Sequence, residues 1–356
     1  MPRVAQDSRM ALPRRKTFTD ALHRFQLLRV AAVWLMVFVS GADVVALAKE
    51  KHAEEAEALF ERARTVSELE VEGGAPFRLE AVIFARVVGG VVGGHYVRVW
   101  QSQHRWRDEL TLPRYSQVRV DTESAMWRQR NTNHQPLPVV QFLQGLSPGM
   151  PLNVPERWKL TIAERKEGSN VMKCVELQHG GEMVVQPVTH EWCFDSGSGA
   201  LARQIWSDWD TTWEYLEYAP WSGKRYARQI NILQGGERVV EAHITVMDAP
   251  NPEPATFVPP GDAEEWPRCE KMQLPTAKSL DHSIFPGLRE MRKAYISVML
   301  EVGKDGHVQD VVMLRPLADP QREHNLFLDF KQRWKFQPAK CGKVPIPFTY
   351  TFEFPI

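Results

Sequence analysis

Metal-ligating and catalytic patterns are scarce in this sequence. Cysteine occurs four times in 356 residues. No C-x-x-C and no Cys/His pair stands at zinc spacing, so no metal site is expected. Net charge is missing too, since 44 Lys and Arg balance 44 Asp and Glu. Without a basic stripe there is no electrostatic footprint for nucleic acid. The stretch Gly89–Gly94 has neither a Walker Lys-Ser/Thr pair nor G-x-G-x-x-G ahead of a helix, and reads as a hairpin connection. Ser196-Gly197-Ser198-Gly199 lacks the nucleophile-elbow spacing and reads as a turn. His190-Glu191 lacks the second histidine of a zincin, and Asp208, Asp210 and Glu214 read as a solvated strand edge. No nucleophile, base and oxyanion donors converge, so neither an enzyme nor a cofactor is expected.

Long apolar runs are equally lacking. The run from Val30 to Ala42 is ended by Asp43 and falls short of the roughly 20 residues that span a bilayer. It follows Arg14, Arg15, Lys16, Arg24 and Arg29, and Ala46-Leu47-Ala48 comes after it. A basic region, a short apolar core and an A-x-A site make residues 1–48 a signal peptide, with cleavage expected after Ala48. The alternative is a retained signal anchor facing the periplasm. No cysteine follows the apolar core closely, so a lipoprotein anchor is not indicated. In an exported chain four cysteines point to two disulfides. Three connectivities are open to them. Cys174–Cys193 is favoured because Gly180-Gly181 between them can turn two strands together, which leaves Cys269–Cys341.

What the chain does have is strand pattern. Ala53 to Val66 carries Ala56, Leu59, Phe60 and Ala63 at helical spacing. Short alternating runs then dominate: Phe77–Arg86, Tyr96–Trp100, Trp106–Leu112, Gln117–Val120 and Met126–Arg128. Leu137–Leu146 is a short amphipathic helix. Strands resume at Trp158–Ala163, Val171–Leu177, Met183–Val188, Trp192–Phe194, Leu201–Ile205, Trp213–Tyr218 and Val239–Val246. Such spacing predicts an antiparallel sheet. Trp206, Trp209, Trp213, Trp221, Tyr215, Tyr218 and Tyr226 read as sheet core, with a lipid- or carbohydrate-lining surface as the other option. Asp248–Pro267 is rich in proline and reads as an extended linker. The expected division is 1–48, a first domain over 49–250, a linker over 251–268 and a last domain over 269–356.

The order of elements over Lys49 to Pro260 is similar to the LolA/LolB-like half-barrel of periplasmic lipid and lipoprotein carriers. That resemblance implies an incomplete barrel over an apolar cavity able to hold an acyl chain. The last domain has its own pattern. Tyr295–Val302 alternates, Asp305-Gly306 suits a tight turn, and Val308–Leu314 forms a second run. Leu326, Phe327, Phe330 and Trp334 share a helix face, and Ile346, Phe348, Tyr350, Phe352 and Phe354 share a strand face. With Trp334-Lys335-Phe336-Gln337-Pro338-Ala339 and Gly342-Lys343-Val344-Pro345, this segment resembles the TonB C-terminal domain. Arg315–Pro320 and Glu323-His324-Asn325-Leu326 depart from that family's pattern.

The TonB resemblance implies strand addition of an envelope partner, such as a TonB-box-like peptide, along Pro347, Phe348, Thr349, Tyr350, Thr351, Phe352, Glu353 and Phe354. The expected fold is therefore α+β: a LolA-like antiparallel half-barrel with helices, then a small TonB C-terminal-like α+β domain. The expected function is an exported, periplasmic envelope protein with a protein-interaction domain, possible links running to TonB-dependent transport. The alternative is a lipid or lipoprotein carrier with that domain as an accessory.

Overall fold

Alternation along the chain becomes one long antiparallel sheet because most strands have a single apolar face to bury. In this computed structural model the described residues are 52–87, 89–152, 154, 158–179, 188–250, 252–269, 271–279 and 295–355. The expected signal segment, the Gly180-Gly181 turn and residues 183–187 of the expected strand Met183–Val188 lie outside them. A helix, α1, covers 52–67. The first meander is β1 (Phe77–Val87), β2 (Gly90–Ser102), β3 (Arg105–Leu112), β4 (Tyr115–Asp121) and β5 (Ala125–Arg130). Helix α2 (Leu137–Leu146) follows. The second meander is β6 (Lys159–Glu167), β7 (Asn170–His179), β8 (Val188–Asp195), β9 (Leu201–Trp206), β10 (Thr211–Trp221), β11 (Lys224–Gln234) and β12 (Glu237–Asp248). β12 pairs with β1, which joins the two meanders into a sheet whose order is 13-5-4-3-2-1-12-11-10-9-8-7-6. The edge strand β13 (Glu264–Pro267) lies beside β5.

Both helices lie on one face of this sheet. Ala56, Phe60 and Ala63 of α1 are buried, and Phe60 meets Trp192 and Phe194 edge-on at 5.4 and 5.7 Å. On α2 Phe142 meets Tyr96 edge-on at 5.2 Å. The Trp213 indole donates to the Gln141 carbonyl at 2.9 Å. A Cβ on Gly145 would stand 2.7 Å from the Trp213 ring, so glycine is what lets α2 lie this close.

Two segments differ from the sequence reading. Of the glycines between 89 and 94, Gly89 and Gly90 make the turn with φ of 102° and 130°. Gly93 and Gly94 lie inside β2, where the Thr111 carbonyl and Leu112 fill the place a Gly94 side chain would take. Strand β11 had no expected counterpart. Its Arg225 and Arg228 are exposed and its buried apolar positions are few, so it reads as polar although it lies between β10 and β12.

The proline-rich segment is built into the fold rather than left free. A 3₁₀ turn at Pro254–Phe257 buries Phe257, whose ring lies under the Arg105 guanidinium at 4.9 Å. β13 then pairs Glu264 with Arg128 and Pro267 with Ala125. Residues 53–356 form one compact unit.

The last part holds β14 (Met272–Gln273), β15 (Thr276–Ser279), β16 (Tyr295–Val302), β17 (Val308–Met313), α3 (Pro320–Arg333), β18 (Lys335–Gln337), β19 (Ala339–Cys341), β20 (Val344–Ile346) and β21 (Phe348–Pro355). β16 lies between β17 and β21. The period-2 rule divides β16 cleanly. Ile296, Val298, Leu300 and Val302 face Leu326, Phe330 and Trp334 in a separate core. Ser297, Met299 and Glu301 face the large sheet. Arg315–Pro320, which departs from the TonB pattern, ends in a helix start: the Asp319 carboxylate accepts from the Gln321 and Arg322 amides at 3.0 and 3.3 Å, and Pro320 opens α3.

Asp305-Gly306 makes the expected turn, with Gly306 at φ 82°. Its carbonyl accepts from the Phe336 amide at 2.9 Å, so the turn is pressed against β18. A Cβ there would run into the Phe336 carbonyl. Gly306→Ala is expected to cost about 2–4 kcal/mol, from the left-handed backbone and the overlap together. Urea unfolding checks this, and a shift below about 0.5 kcal/mol would mean that the turn relaxes freely.

Candidate functional site

The inner face of the sheet leaves a cavity of ≈ 480 Å³ where α1 ends, α2 ends and the sheet curves beneath them. Its floor comes from Phe77 and Leu79 of β1, Tyr215 and Tyr218 of β10, Ile230 of β11 and Ile244 of β12. Leu146, Met150 and Leu152 close one side, and Leu152 is exposed at the rim. Arg64, Ser67, Glu68 and Glu70 form a polar lip. The Arg64 guanidinium donates to the Pro151 carbonyl at 3.1 Å, which ties α1 to the segment after α2. Loss of solvent on the cavity side pushes the Glu68 carboxyl above the ordinary range, against the pull of Arg64 and Lys224.

One wall is charged and buried. Arg98 and Asp108 face each other across β2 and β3, and Asp108 faces Arg119 across β3 and β4. Arg98 donates to Asp108 at 3.0 Å and to Glu70 at 2.6 Å, and its guanidinium lies 4.4 Å from the Trp106 ring. Tyr96 reaches the same Asp108 carboxylate at 3.4 Å. Burial first, and the Asp108 charge second, push the Tyr96 phenol upward. This row fixes the position of β2 beneath the cavity and neutralises its own charges. The sequence held one sign of it: Tyr96, Arg98 and Trp100 alternate onto one face, with an arginine at an inward position.

The arrangement offers an apolar hollow with a polar lip, able to take a chain-like apolar ligand whose polar end stays in water. Of the aromatic cluster read from sequence, the tryptophans go to the core and the tyrosines to the cavity. Trp209 and Trp213 are buried, and Trp206 packs on both at 4.4 and 5.5 Å. Tyr215, Tyr218 and Tyr226 line the hollow. The Tyr215 hydroxyl is buried with no hydrogen-bond partner among the described residues, and burial pushes its pKa well above the usual value.

Both disulfides are present. Cys174 and Cys193 face each other across β7 and β8, with Cα atoms 4.0 Å apart. Cys269 and Cys341 join the approach to β14 with β19, at 5.5 Å. The expected strand-addition residues lie at a sheet edge: Phe348–Pro355 pairs with β16 on one side, with Phe348 opposite Val302 and Phe352 opposite Val298. Pro347 is buried just before the strand. Thr349 and Thr351 are exposed, and Phe348, Tyr350 and Phe352 are half-buried. Phe352 meets Trp334 and Phe336 at 5.6 and 5.9 Å, so its ring belongs to the core beneath α3. For Glu353 and Phe354 the structure describes the backbone pairing alone, opposite Ser297 and Ile296.

No protein-family model matches the chain, and no curated protein matches it. The TonB resemblance of 269–356 therefore rests on its motifs alone. Among solved structures the chain is similar to a LolA superfamily protein from Nitrosomonas europaea, at 12% identity and TM-score 0.34 over 57% of this chain and 97% of that one. It is similar also to a protein domain described as outer membrane lipoprotein-sorting from Vibrio parahaemolyticus, at 10% identity and TM-score 0.35 over 57% of this chain and 97% of that one. A DUF1329 family protein from Desulfovibrio piger shares 9% identity at TM-score 0.38, over 58% of this chain and 97% of that one.

Proposed function

We propose that this chain is an exported, non-enzymatic envelope protein that holds the apolar chain of a lipid or lipoprotein on the inner face of its sheet. The ≈ 480 Å³ hollow floored by Phe77, Leu79, Ile230 and Ile244 carries this reading. Two disulfides support an oxidising compartment, the periplasm being the one expected. Each methylene moved from water into the hollow contributes about 0.8 kcal/mol, so a chain with eight methylenes buried gains roughly 6 kcal/mol before the costs of association. Native mass spectrometry of protein purified from membranes should show an acyl ligand, and a fluorescent fatty acid should compete with it. Ala227 lines the hollow and is buried. Ala227→Trp should fill the space and weaken the fatty acid by roughly tenfold or more, about 1.4 kcal/mol. Unchanged affinity in a folded variant would place the ligand elsewhere.

A second reading has one observation in its favour. Among the described residues β21 has a strand partner on one side only, so its outer edge can accept an extended peptide through main-chain hydrogen bonds. Under this reading Pro347–Phe354 takes an envelope protein, a TonB-box-like segment being the expected type. Deletion of 352–356 should abolish capture of such a peptide in a pull-down. Thr351→Pro removes one backbone donor while sparing the Phe352 packing, and it should weaken capture as well. Equal capture by wild type and both variants would remove this reading.

A further inference from the structure

A second cavity, of ≈ 510 Å³, lies on the other side of the sheet from the first, and the two share Tyr215 and Tyr218 as lining residues. The outer one is lined by Met172 and Ala202, which belong to the small cluster around Cys174 and Cys193 rather than to the main core. The sheet is open between them. β10 runs on with β11 as far as Trp221, but its ladder with β9 stops at Glu214 opposite Arg203. Two irregularities meet at this point. Ala202 is left without a partner between Cys193–Arg203 and Phe194–Leu201. Glu217 is skipped in the β10–β11 register and holds φ at 54°. In place of the missing ladder, the Tyr218 hydroxyl donates to the Leu201 carbonyl at 2.6 Å. Beside it stands the buried hydroxyl of Tyr215, which has no hydrogen-bond partner among the described residues.

We infer that the gap between β9 and β10 is a side portal, gated by Tyr215 and Tyr218, through which a single-chain amphiphile reaches the inner hollow. This rests on the proposed apolar-ligand reading. A continuous sheet would have closed this route with main-chain hydrogen bonds, which break at a high cost. Here one side-chain bond and two rings separate the cavities, and rotation of Tyr218 joins them. The outer cavity suits the polar end of the ligand. It presents charges of both signs, the carboxylates of Glu167, Asp195, Glu214 and Glu217 against the guanidiniums of Arg203 and Arg225, with Arg203 and Glu167 paired at 3.6 Å. A zwitterionic head can meet these groups while its chain passes between the tyrosines.

The probe is a lysophosphatidylcholine with a fluorescent acyl chain, followed by stopped-flow uptake into the full chain. Tyr218→Phe removes the bond to Leu201 and should speed both uptake and release. Leu216 lines the outer cavity and is 38% exposed. All four native cysteines are in disulfides, so Leu216→Cys adds the one reactive thiol. Coupling a bulky maleimide to it should slow uptake roughly tenfold relative to the same variant unlabelled, as expected when a gate limits the rate. Binding with rates indifferent to both the label and Tyr218→Phe overturns the portal and leaves the hollow as the site, filled from its lip. No binding of the probe by the wild type overturns the hollow as a lipid site and the portal with it.

Discussion

Glu301→Ala is expected to cost about 3 kcal/mol of stability, although the residue lies outside both cavities and all three helices. Its carboxylate is 5% exposed and is held by Arg128 at 3.0 Å and by Arg130 at 3.2 Å, whose side chains are 10% and 9% exposed. Removing one partner of a buried charge cluster leaves the other charges desolvated and unpaired, at about 3–5 kcal/mol. The lower end applies because each arginine keeps a second, longer ion pair, Arg128 with the Glu264 carboxylate at 3.3 Å and Arg130 with that of Asp310 at 3.6 Å. Asp310 in turn accepts from the Gln135 amide at 2.8 Å and contacts His134 at 2.9 Å. Glu301→Gln keeps the shape and an acceptor, so it should lose less. Urea unfolding of both variants checks the order. A Glu301→Ala midpoint within about 0.5 kcal/mol of wild type would mean that water reaches the arginines.

That cluster also shows why the sequence was readable within segments and silent between them. The helix at 52–67, α2, the two meanders and the Asp305-Gly306 turn are local patterns, and each is expressed in residues a few positions apart. The docking of the sheet formed by β17, β16 and β21 is not local. Ser297, Glu301 and Asp310 look like the solvated face of an alternating pair of strands. Their partners, Asp208, Arg128, Arg130, His134 and Gln135, stand between 89 and 176 residues away. A polar residue on a strand face reads the same whether water or a guanidinium covers it, so the last part reads as a separate domain on a linker. The hollow enters the sequence reading only as an implication of the half-barrel resemblance, for a different reason. It is made by side chains from β1, β2, β10, β11 and β12 that fall short of α1 and α2, and no pattern in one segment registers a shortfall between several. The aromatic cluster that holds Tyr215, Tyr218 and Tyr226 also hints at it, and its spacing is equally that of a filled core.

Replacing Cys269 and Cys341 together with serine should have the larger single effect, about 4 kcal/mol in the chain-entropy model, because the bridge closes a loop 72 residues apart in sequence. The same change at Cys174 and Cys193, 19 apart, should cost about 3 kcal/mol. The two bridges differ in what they hold. Cys174–Cys193 joins neighbouring strands of one ladder. Cys269–Cys341 ties β19 to the segment just after β13, which is itself paired with β5, and Arg268 beside it is bonded to Asp121 and to the Thr122 carbonyl. The bridge and the Glu301 cluster therefore fasten the same part of the chain to the same edge of the sheet. Residues that share a fastening are coupled by about 0.5–3 kcal/mol. With the bridge intact, Glu301→Ala should leave one unfolding transition, since the last strands cannot leave the sheet edge. Without it, the same substitution should split unfolding into two transitions, the core of β16, α3 and Trp334 melting apart from the large sheet. A double-mutant cycle on urea midpoints measures the coupling. Simple additivity within about 0.5 kcal/mol and a single transition in all four proteins would mean that the apolar contacts of Met299, Val312 and Leu314 with the main core hold the two parts together on their own.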